Sequence, residues 1–264
     1  FLGTPYHIDV PAGRTGTAGI LDAEQAVDKL LSHPSTPVFI SAKLIQKLVG
    51  DQVDFRNPSA GPYAALLARC ITAWNIPPRG TIKNVVREIL TSAEFWSDTA
   101  RRSKVKTAFE HIASTVRAIG GQTDGTSVVD DLSAMGQQLF TRDEPEGWPE
   151  TGFDWIDTSS LLSRIKFAQA LTEAAPATSP AFNWNAVPFL DAYGLDTAEE
   201  IVDFFNNLLF QGTLTDADRA IVTEFLNTDD AYNPLPFSRA RTDFGDRVRR
   251  AVGLMLSFPQ WQFQ

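Results

Sequence analysis

Two side chains near the start of the chain, His7 and Asp9, have the spacing of a small chemical site. They stand two residues apart in the stretch YHIDV, and in an extended backbone residues at this spacing share one face. The imidazole and the carboxylate could then be two ligands of a metal ion, or a general base and the group that orients it. A loop anchored by local hydrogen bonds explains the same pattern. No third partner is identifiable from the sequence.

A second group of candidate residues lies between residues 146 and 164, where aromatic rings interrupt a Gly- and Pro-containing segment. Trp148, Phe153 and Trp155 alternate with Pro149 and Gly152, a composition that favours a compact loop. The rings could fold back and plug a helical core. If exposed, they could stack on sugars or anchor a protein partner. We expect at least one of Trp148 and Trp155 to be buried, which favours a structural role.

The charged residues around these rings allow a catalytic alternative. Asp154 and Asp157 could supply acid–base chemistry beside aromatic stacking surfaces, as in an enzyme that acts on carbohydrate or another polymer. Arg164 follows in the next predicted helix, and we expect it to form an ion pair with one of these two carboxylates. The candidate ligand- or partner-binding residues are therefore Trp148, Trp155, Asp154 and Arg164.

The composition excludes several classes of protein. The formal net charge is −9 and the pI is near 4.8, which argues against a nucleic-acid partner, because neutralising phosphates requires concentrated Lys and Arg. The sequence contains no run of about 18 apolar residues, so it predicts no membrane-spanning helix. Cys70 is the only cysteine, so no intramolecular disulfide and no Cys-based metal centre can form. Its apolar helical context predicts a buried thiol.

No motif indicates a cofactor. Serine nucleophile elbows, phosphate-binding glycine loops and dinucleotide fingerprints are absent from the sequence, and we expect no cofactor. His33 precedes Pro34 at a helix entry, where a structural role is expected. His111 falls on the flank of an apolar helical stripe, where we expect a partly buried, hydrogen-bonded imidazole.

The elements that must position these residues are helices, because apolar residues recur at three- and four-residue spacing through most of the chain. The clearest helix follows Thr197, which forms a capping-box pattern with Glu200, and Thr215 is the expected cap of the next one. Ser103 is the predicted start of a long helix, and another is expected from about residue 128 to 140. No segment shows convincing strand alternation, so the sequence predicts an all-α, irregular multi-helix bundle with long loops and no substantial sheet.

We expect residues 1–264 to form a single helical domain, since its parts are too small to hold separate cores. The one compositional break contains Pro176, Pro180 and Pro188, which prevent a long helix. An internal boundary, if one exists, is therefore expected near residues 175–192.

Several blocks of the sequence resemble the bacterial domain-of-unknown-function 1800 family, in its C-terminal half. The sharpest likenesses are the helix entry at His33 and Pro34, the run from Lys104 to Glu110, and the block of residues 136–164. Family members tend to carry an adjacent His–Asp pair near the start, whereas here Ile8 separates the two residues. None of these blocks is a catalytic signature.

The resemblance implies a largely helical protein, exported to the periplasm, cell surface or extracellular space. It also implies a protein partner, because family members are often encoded beside a sulfatase-like family. We therefore expect an exported helical scaffold or interaction protein. We also expect the chain to be a fragment or processed form of a longer protein. A carbohydrate- or polymer-active enzyme or binding module that uses the Trp148 and Trp155 loop is one alternative. A metal-dependent protein that uses His7 and Asp9 is the other.

Overall fold

A computed structural model describes residues 13–173 and 182–264, and for residues 173, 182 and 183 it describes the backbone only. The protein is all-α, as the helical periodicity predicts. The described residues fall into two compact units, one ending at Lys104 and the other beginning at Val105. The possible internal boundary near residues 175–192 stays a prediction. Whether the chain unfolds as one cooperative domain stays a prediction.

The first unit contains four α-helices in its described part. A short 3-10 helix, Gly16–Gly19, precedes α1 (Ile20–Ser32), α2 (Ser35–Leu48), α3 (Ala64–Asn75) and α4 (Ile82–Leu90). The apolar faces of α2, α3 and α4 enclose a core that includes Ile45, Leu66 and Val85. Cys70 lies in this core, and burial raises the pKa of its thiol to about 12. The expectation of a buried thiol is confirmed.

The second unit carries the remaining described helices. They are α5 (Ala108–Ala118), α6 (Thr126–Ala134), α7 (Thr158–Glu173), α8 (Val187–Tyr193), α9 (Ala198–Phe210), α10 (Asp216–Leu226) and α11 (Phe244–Leu256), with 3-10 helices at Gly152–Trp155 and Pro259–Gln262. Two short strands, β1 (Gln122–Thr123) and β2 (Phe182–Asn183), form one antiparallel pair. Helices α7 and α11 pack side by side, and α9 and α10 contribute Phe205, Phe210 and Leu226 to the core.

Capping interactions fix where three of these helices begin. The hydroxyl of Thr197 accepts a hydrogen bond from the backbone of Glu200, and the Glu200 carboxylate in turn accepts from the backbone of Thr197. Thr215 begins α10 in the same way, as the sequence predicts. Thr107 begins α5 with a third such box. Each box satisfies two backbone amides that the helix itself leaves unpaired.

Two predicted helix boundaries are wrong. The helix expected from Ser103 begins only at Ala108, because Val105 and Lys106 pair with the segment at residues 262–263 instead of entering the helix. The helix expected over residues 128–140 is α6, which ends at Ala134, six residues short of Phe140. At α5 this long-range pairing outweighs local helical periodicity, whereas α6 ends in a local turn at Gly136, whose φ is 85°.

No helix in the described part of the chain has the length and apolar character that a membrane span requires.

Candidate functional site

The aromatic loop, which we define as residues 140–157, is anchored by Trp155. This indole is only 6% exposed, and its Nε1 donates a hydrogen bond of 3.0 Å to the carbonyl of Pro149. The ring of Trp148 lies 5.8 Å from that of Trp155, centroid to centroid, with 38° between the planes. Trp148 is half-buried. The expectation that at least one of the two tryptophans is buried is confirmed.

Arg164 of α7 holds the buried end of this loop. Its side chain is fully buried, and Nη2 donates to the carbonyl of Trp155 at 3.3 Å and to that of Lys106 at 2.8 Å. Nη1 lies 3.4 Å from the amide oxygen of Gln262. The expected ion pair with Asp154 or Asp157 is wrong, because every partner of Arg164 among the described residues is a carbonyl or amide oxygen. Burial without a carboxylate lowers the pKa of this guanidinium to about 10.

The carbonyls that Arg164 contacts belong to a polar cluster in which the last described residues pack against α5 and α7. The ammonium group of Lys106 donates to the carbonyl of Trp261 at 2.8 Å and lies 3.4 Å from the centroid of that ring. The indole of Trp261 donates to the hydroxyl of Thr115 at 2.9 Å. We call the set Lys106, His111, Thr115, Arg164, Trp261 and Gln262 the buried polar seam.

His111 occupies the seam in a state that the sequence did not predict. It is fully buried, it meets Phe167 edge to face at 6.3 Å between centroids, and neither ring nitrogen has a hydrogen-bond partner among the described residues. Desolvation, followed by the nearby charges of Arg164 and Lys106, lowers the pKa of His111 to about 3. The backbone carbonyl of Arg164 opposes this shift but does not meet hydrogen-bond geometry. The expected partly buried, hydrogen-bonded imidazole is wrong, and His111 is neutral at physiological pH.

The outer side of the aromatic loop presents rings to solvent. Phe153 is 75% exposed, and Phe140 is fully exposed in a left-handed backbone conformation with φ of 60°. An aromatic residue in this conformation costs about 1–2 kcal/mol relative to an ordinary one. Arg142 covers Trp148, with 5.2 Å between the guanidinium carbon and the ring centroid, and its Nε donates to the carbonyl of Gly147. The loop thus has a buried, hydrogen-bonded base and exposed aromatic side chains.

Asp154 and Asp157 each have a hydrogen-bonding partner close along the chain. Asp154 is exposed and accepts a hydrogen bond from the hydroxyl of Thr151. Asp157 precedes α7 and accepts from the backbone of Ser160 at 2.7 Å, and the bonds from the Ser160 backbone and hydroxyl lower the pKa of Asp157. A carboxyl with a lowered pKa stays ionised near neutral pH and is a poor general acid. Asp157 therefore acts as a helix cap in this structure.

The metal candidate cannot be placed. His7 and Asp9 lie outside the described residues, and within residues 13–173 and 182–264 no three His, Cys, Asp or Glu side chains come together as a metal site. His33 sits at the entry to α2, where its Nδ1 accepts a hydrogen bond of 3.2 Å from the backbone of Ser35. That geometry matches the structural role expected for it.

Sequence reasoning identified Trp155 and Arg164 but missed their supports. The sequence pattern places Lys106 near a predicted helix start and predicts no functional role for Gln262, although both residues contact Arg164. One signal was available in the run KVKTAF. Basic and apolar side chains alternate there, as Val105 and Lys106 do, and this alternation is typical of an extended strand.

The sequence model of one protein family, described as "Protein of unknown function (DUF1800)", matches residues 2–263. The match runs over nearly the whole chain, so the expected restriction to a C-terminal half is inaccurate. Neither the curated proteins nor the solved structures contain a match to the chain.

Proposed function

The chain belongs to the DUF1800 family, and we propose that it is a helical interaction protein that binds a partner protein through its aromatic loop. The observation that carries this proposal is the exposure of Phe153 and Phe140 on a loop whose base, at Trp155, is buried and hydrogen-bonded. Exposed aromatic rings on an ordered support are typical of the residues that dominate protein interfaces.

The anchoring of the loop favours tight binding for an entropic reason. Ordering a flexible loop on association costs free energy that subtracts from affinity, and a loop already ordered avoids that cost. The base of the loop is held to α7 at the carbonyl of Trp155, which accepts hydrogen bonds from Ser160 and Arg164. The strained backbone of Phe140 also favours a binding role for the loop, because such conformations cluster at functional sites.

The charges of the loop specify the chemistry of the partner. Residues 140–157 contain six carboxylates and one guanidinium, that of Arg142. An acidic rim around apolar rings fits a basic surface with an apolar centre, and such charge complementarity raises the association rate and makes it sensitive to salt. We propose a partner surface of that kind.

The partner that the resemblance suggests is a sulfatase-like protein encoded beside family members. Export to the periplasm, cell surface or extracellular space belongs to the same proposal. Both come from the family resemblance, whereas the location of the binding surface comes from the exposed rings of the aromatic loop.

Affinity measurements with the sulfatase-like protein test the proposal. Isothermal titration calorimetry with the natural full-length protein should show saturable binding, which Phe153→Ser and Phe140→Ser each weaken about tenfold, the size of a moderate hot spot. Tyr232→Ser is the matched control, because Tyr232 is 84% exposed in the same unit but outside the loop. Raising the salt concentration from 50 to 300 mM should also weaken binding.

Equal weakening by Tyr232→Ser, or no saturable binding, would contradict this assignment. The carbohydrate alternative uses the same rings and is separated by titrating a panel of neutral oligosaccharides. Saturable sugar binding that is lost in Phe153→Ser would favour that alternative. The metal alternative is tested by elemental analysis of natively purified protein beside its His7→Ala variant.

A further inference from the structure

A groove of about 620 Å³ opens on the first unit. Its walls come from the start of α2 and from the loop between α2 and α3, and they include Phe39, Phe55 and Arg56. Small-molecule sites in proteins typically occupy about 300–1,000 Å³ and combine apolar walls with few polar groups. The groove has this size and composition.

Two aromatic rings form the apolar part of the groove. Phe39 of α2 and Phe55 of the following loop meet edge to face, with 5.4 Å between centroids and 84° between planes. Phe39 remains 43% and Phe55 40% exposed. The two rings therefore offer a partly open apolar surface that an additional flat group can cover.

Two cations flank these rings. The Lys43 ammonium lies 5.4 Å from the centroid of Phe39 and 5.9 Å from that of Phe55, and the Arg56 guanidinium lies 5.6 Å from the latter ring. Arg56 forms no ion pair with any residue in the described part of the chain, unlike Arg69 of the same unit, which contacts Glu88 and Glu94. The groove thus combines two partly exposed rings with one guanidinium that has no carboxylate partner among the described residues.

Local hydrogen bonds hold the loop side of the groove in place. The carboxylate of Asp54 accepts from the backbone amides of Arg56 at 2.8 Å and Asn57 at 3.1 Å. The backbone of Ala60 then donates to the carbonyl of Asn57. This turn is built by side-chain to backbone bonds that need no ligand, so Phe55 and Arg56 are positioned in advance of binding.

We propose that this groove binds a small organic anion with a flat apolar face. The face packs against Phe39 and Phe55, and the anionic group lies beside the guanidinium of Arg56. A neutral flat molecule gains only the ring contacts, and a cation is repelled by the guanidinium. An anion without an apolar face leaves the exposed ring surfaces in water. The combination of both features in one molecule is what the groove selects.

The test uses naphthalene-2-sulfonate as the probe and the full chain as the protein, with binding followed by saturation-transfer NMR and calorimetry. We expect saturable binding that is at least about tenfold tighter than that of neutral naphthalene-2-sulfonamide or of methanesulfonate, which lacks the apolar face. Arg56→Gln should weaken naphthalene-2-sulfonate binding about fivefold and remove most of the preference over the sulfonamide. Phe55→Leu should weaken both naphthalene probes about fivefold.

Arg87→Gln is the matched control, because Arg87 is an exposed arginine of α4 that does not line the groove, and it should leave probe binding unchanged. Circular dichroism at 222 nm confirms that each variant is folded, which is expected since the substituted side chains are exposed. Equal affinity for the sulfonate and the sulfonamide would overturn the proposal, as would equal weakening by Arg87→Gln or a lack of saturable sulfonate binding. None of these results depends on the partner proposed for the aromatic loop.

Discussion

The two most deeply buried arginines in the described part of the second unit differ in their surroundings. Arg247 of α11 contacts the carboxylate of Asp230 at 2.8 Å, and it also donates to the carbonyl of Phe225 and the hydroxyl of Thr228. Arg164 of α7 is fully buried and contacts only carbonyl and amide oxygens. One buried cation therefore has an anionic partner and the other has none within the described residues.

The difference indicates that one arginine mainly stabilises the fold and the other mainly positions a neighbouring segment. Removing a guanidinium from water costs several kcal/mol, and a nearby carboxylate offsets part of that cost. Arg247 has that compensation, whereas Arg164 has only dipoles. What Arg164 does instead is join the base of the aromatic loop, at Trp155, to the backbone of Lys106. We infer that Arg164 contributes mainly the position of that loop.

Replacing each arginine by methionine tests this comparison and carries the largest expected effect. Arg247→Met should lower the free energy of unfolding by about 2–3 kcal/mol, because it leaves buried carbonyls without donors and removes the ion pair. Arg164→Met should cost about 1 kcal/mol or less, since removing an uncompensated charge offsets the lost hydrogen bonds. Urea unfolding followed by tryptophan fluorescence measures both values.

Arg250→Met provides the control for this pair of variants. Arg250 contacts the same carboxylate of Asp230 at 2.7 Å but is exposed, so its replacement should change stability by less than about 0.5 kcal/mol. A larger loss for Arg164→Met than for Arg247→Met would contradict the comparison, since it would require an anion beside Arg164.

The neutral His111 predicts that acid weakens the second unit. The folded-state pKa is about 3, below the usual 6.5, so the unfolded chain takes up the proton first. The stabilisation is fully present above about pH 6.5 and is lost as the pH falls toward 3. Between pH 7.5 and pH 5 the free energy of unfolding should fall by about 2 kcal/mol. Urea unfolding at the two pH values measures this change.

His111→Leu should remove most of this acid dependence, because leucine has no proton to bind. His33→Ala should retain it, since His33 belongs to the first unit and lies outside the surroundings of His111. Carboxyl groups with lowered pKa, such as those of Asp157 and Glu200, contribute mostly below pH 5. An unchanged pH dependence in His111→Leu would show that another group causes it.

The smallest effect is expected at Gln262, which completes the surroundings of Arg164. Its amide oxygen lies 3.4 Å from Arg164, and its buried Nε2 has no hydrogen-bond partner in the part of the chain that the structure describes. Gln262→Met should therefore change the free energy of unfolding by less than about 0.5 kcal/mol, in either direction. Trp261→Phe, which removes the hydrogen bond to Thr115, should cost about 1 kcal/mol in the same unfolding measurement. A loss above about 2 kcal/mol in Gln262→Met would mean that Gln262 compensates the charge of Arg164.

The sequence predicted those features of the fold that depend on residues close along the chain. The capping boxes at Thr197 and Thr215 involve partners three residues away, and the burial of Cys70 follows from the apolar residues of its own helix. Local patterns determine such features almost alone. The all-α class follows from them as well.

The partners of Arg164 and the start of α5 depend on residues far apart, and sequence reasoning missed both. Arg164 and Gln262 are separated by 98 positions, and no local pattern indicates that they meet. The groove at Phe55 was missed for a related reason, because Phe55 belongs to no periodic element. Its meeting with Phe39 depends on the turn at Asp54.

The pairing of Lys106 with Trp261 and Gln262 has a consequence for how the protein is made. The two sides of the seam are 155 residues apart, so the second unit cannot close until the residues near 262 have left the ribosome. Helices α2, α3 and α4 need no partner so distant and can pack earlier during synthesis. Until the residues near 262 arrive, Lys106 and His111 lack part of the packing that buries them in the finished unit.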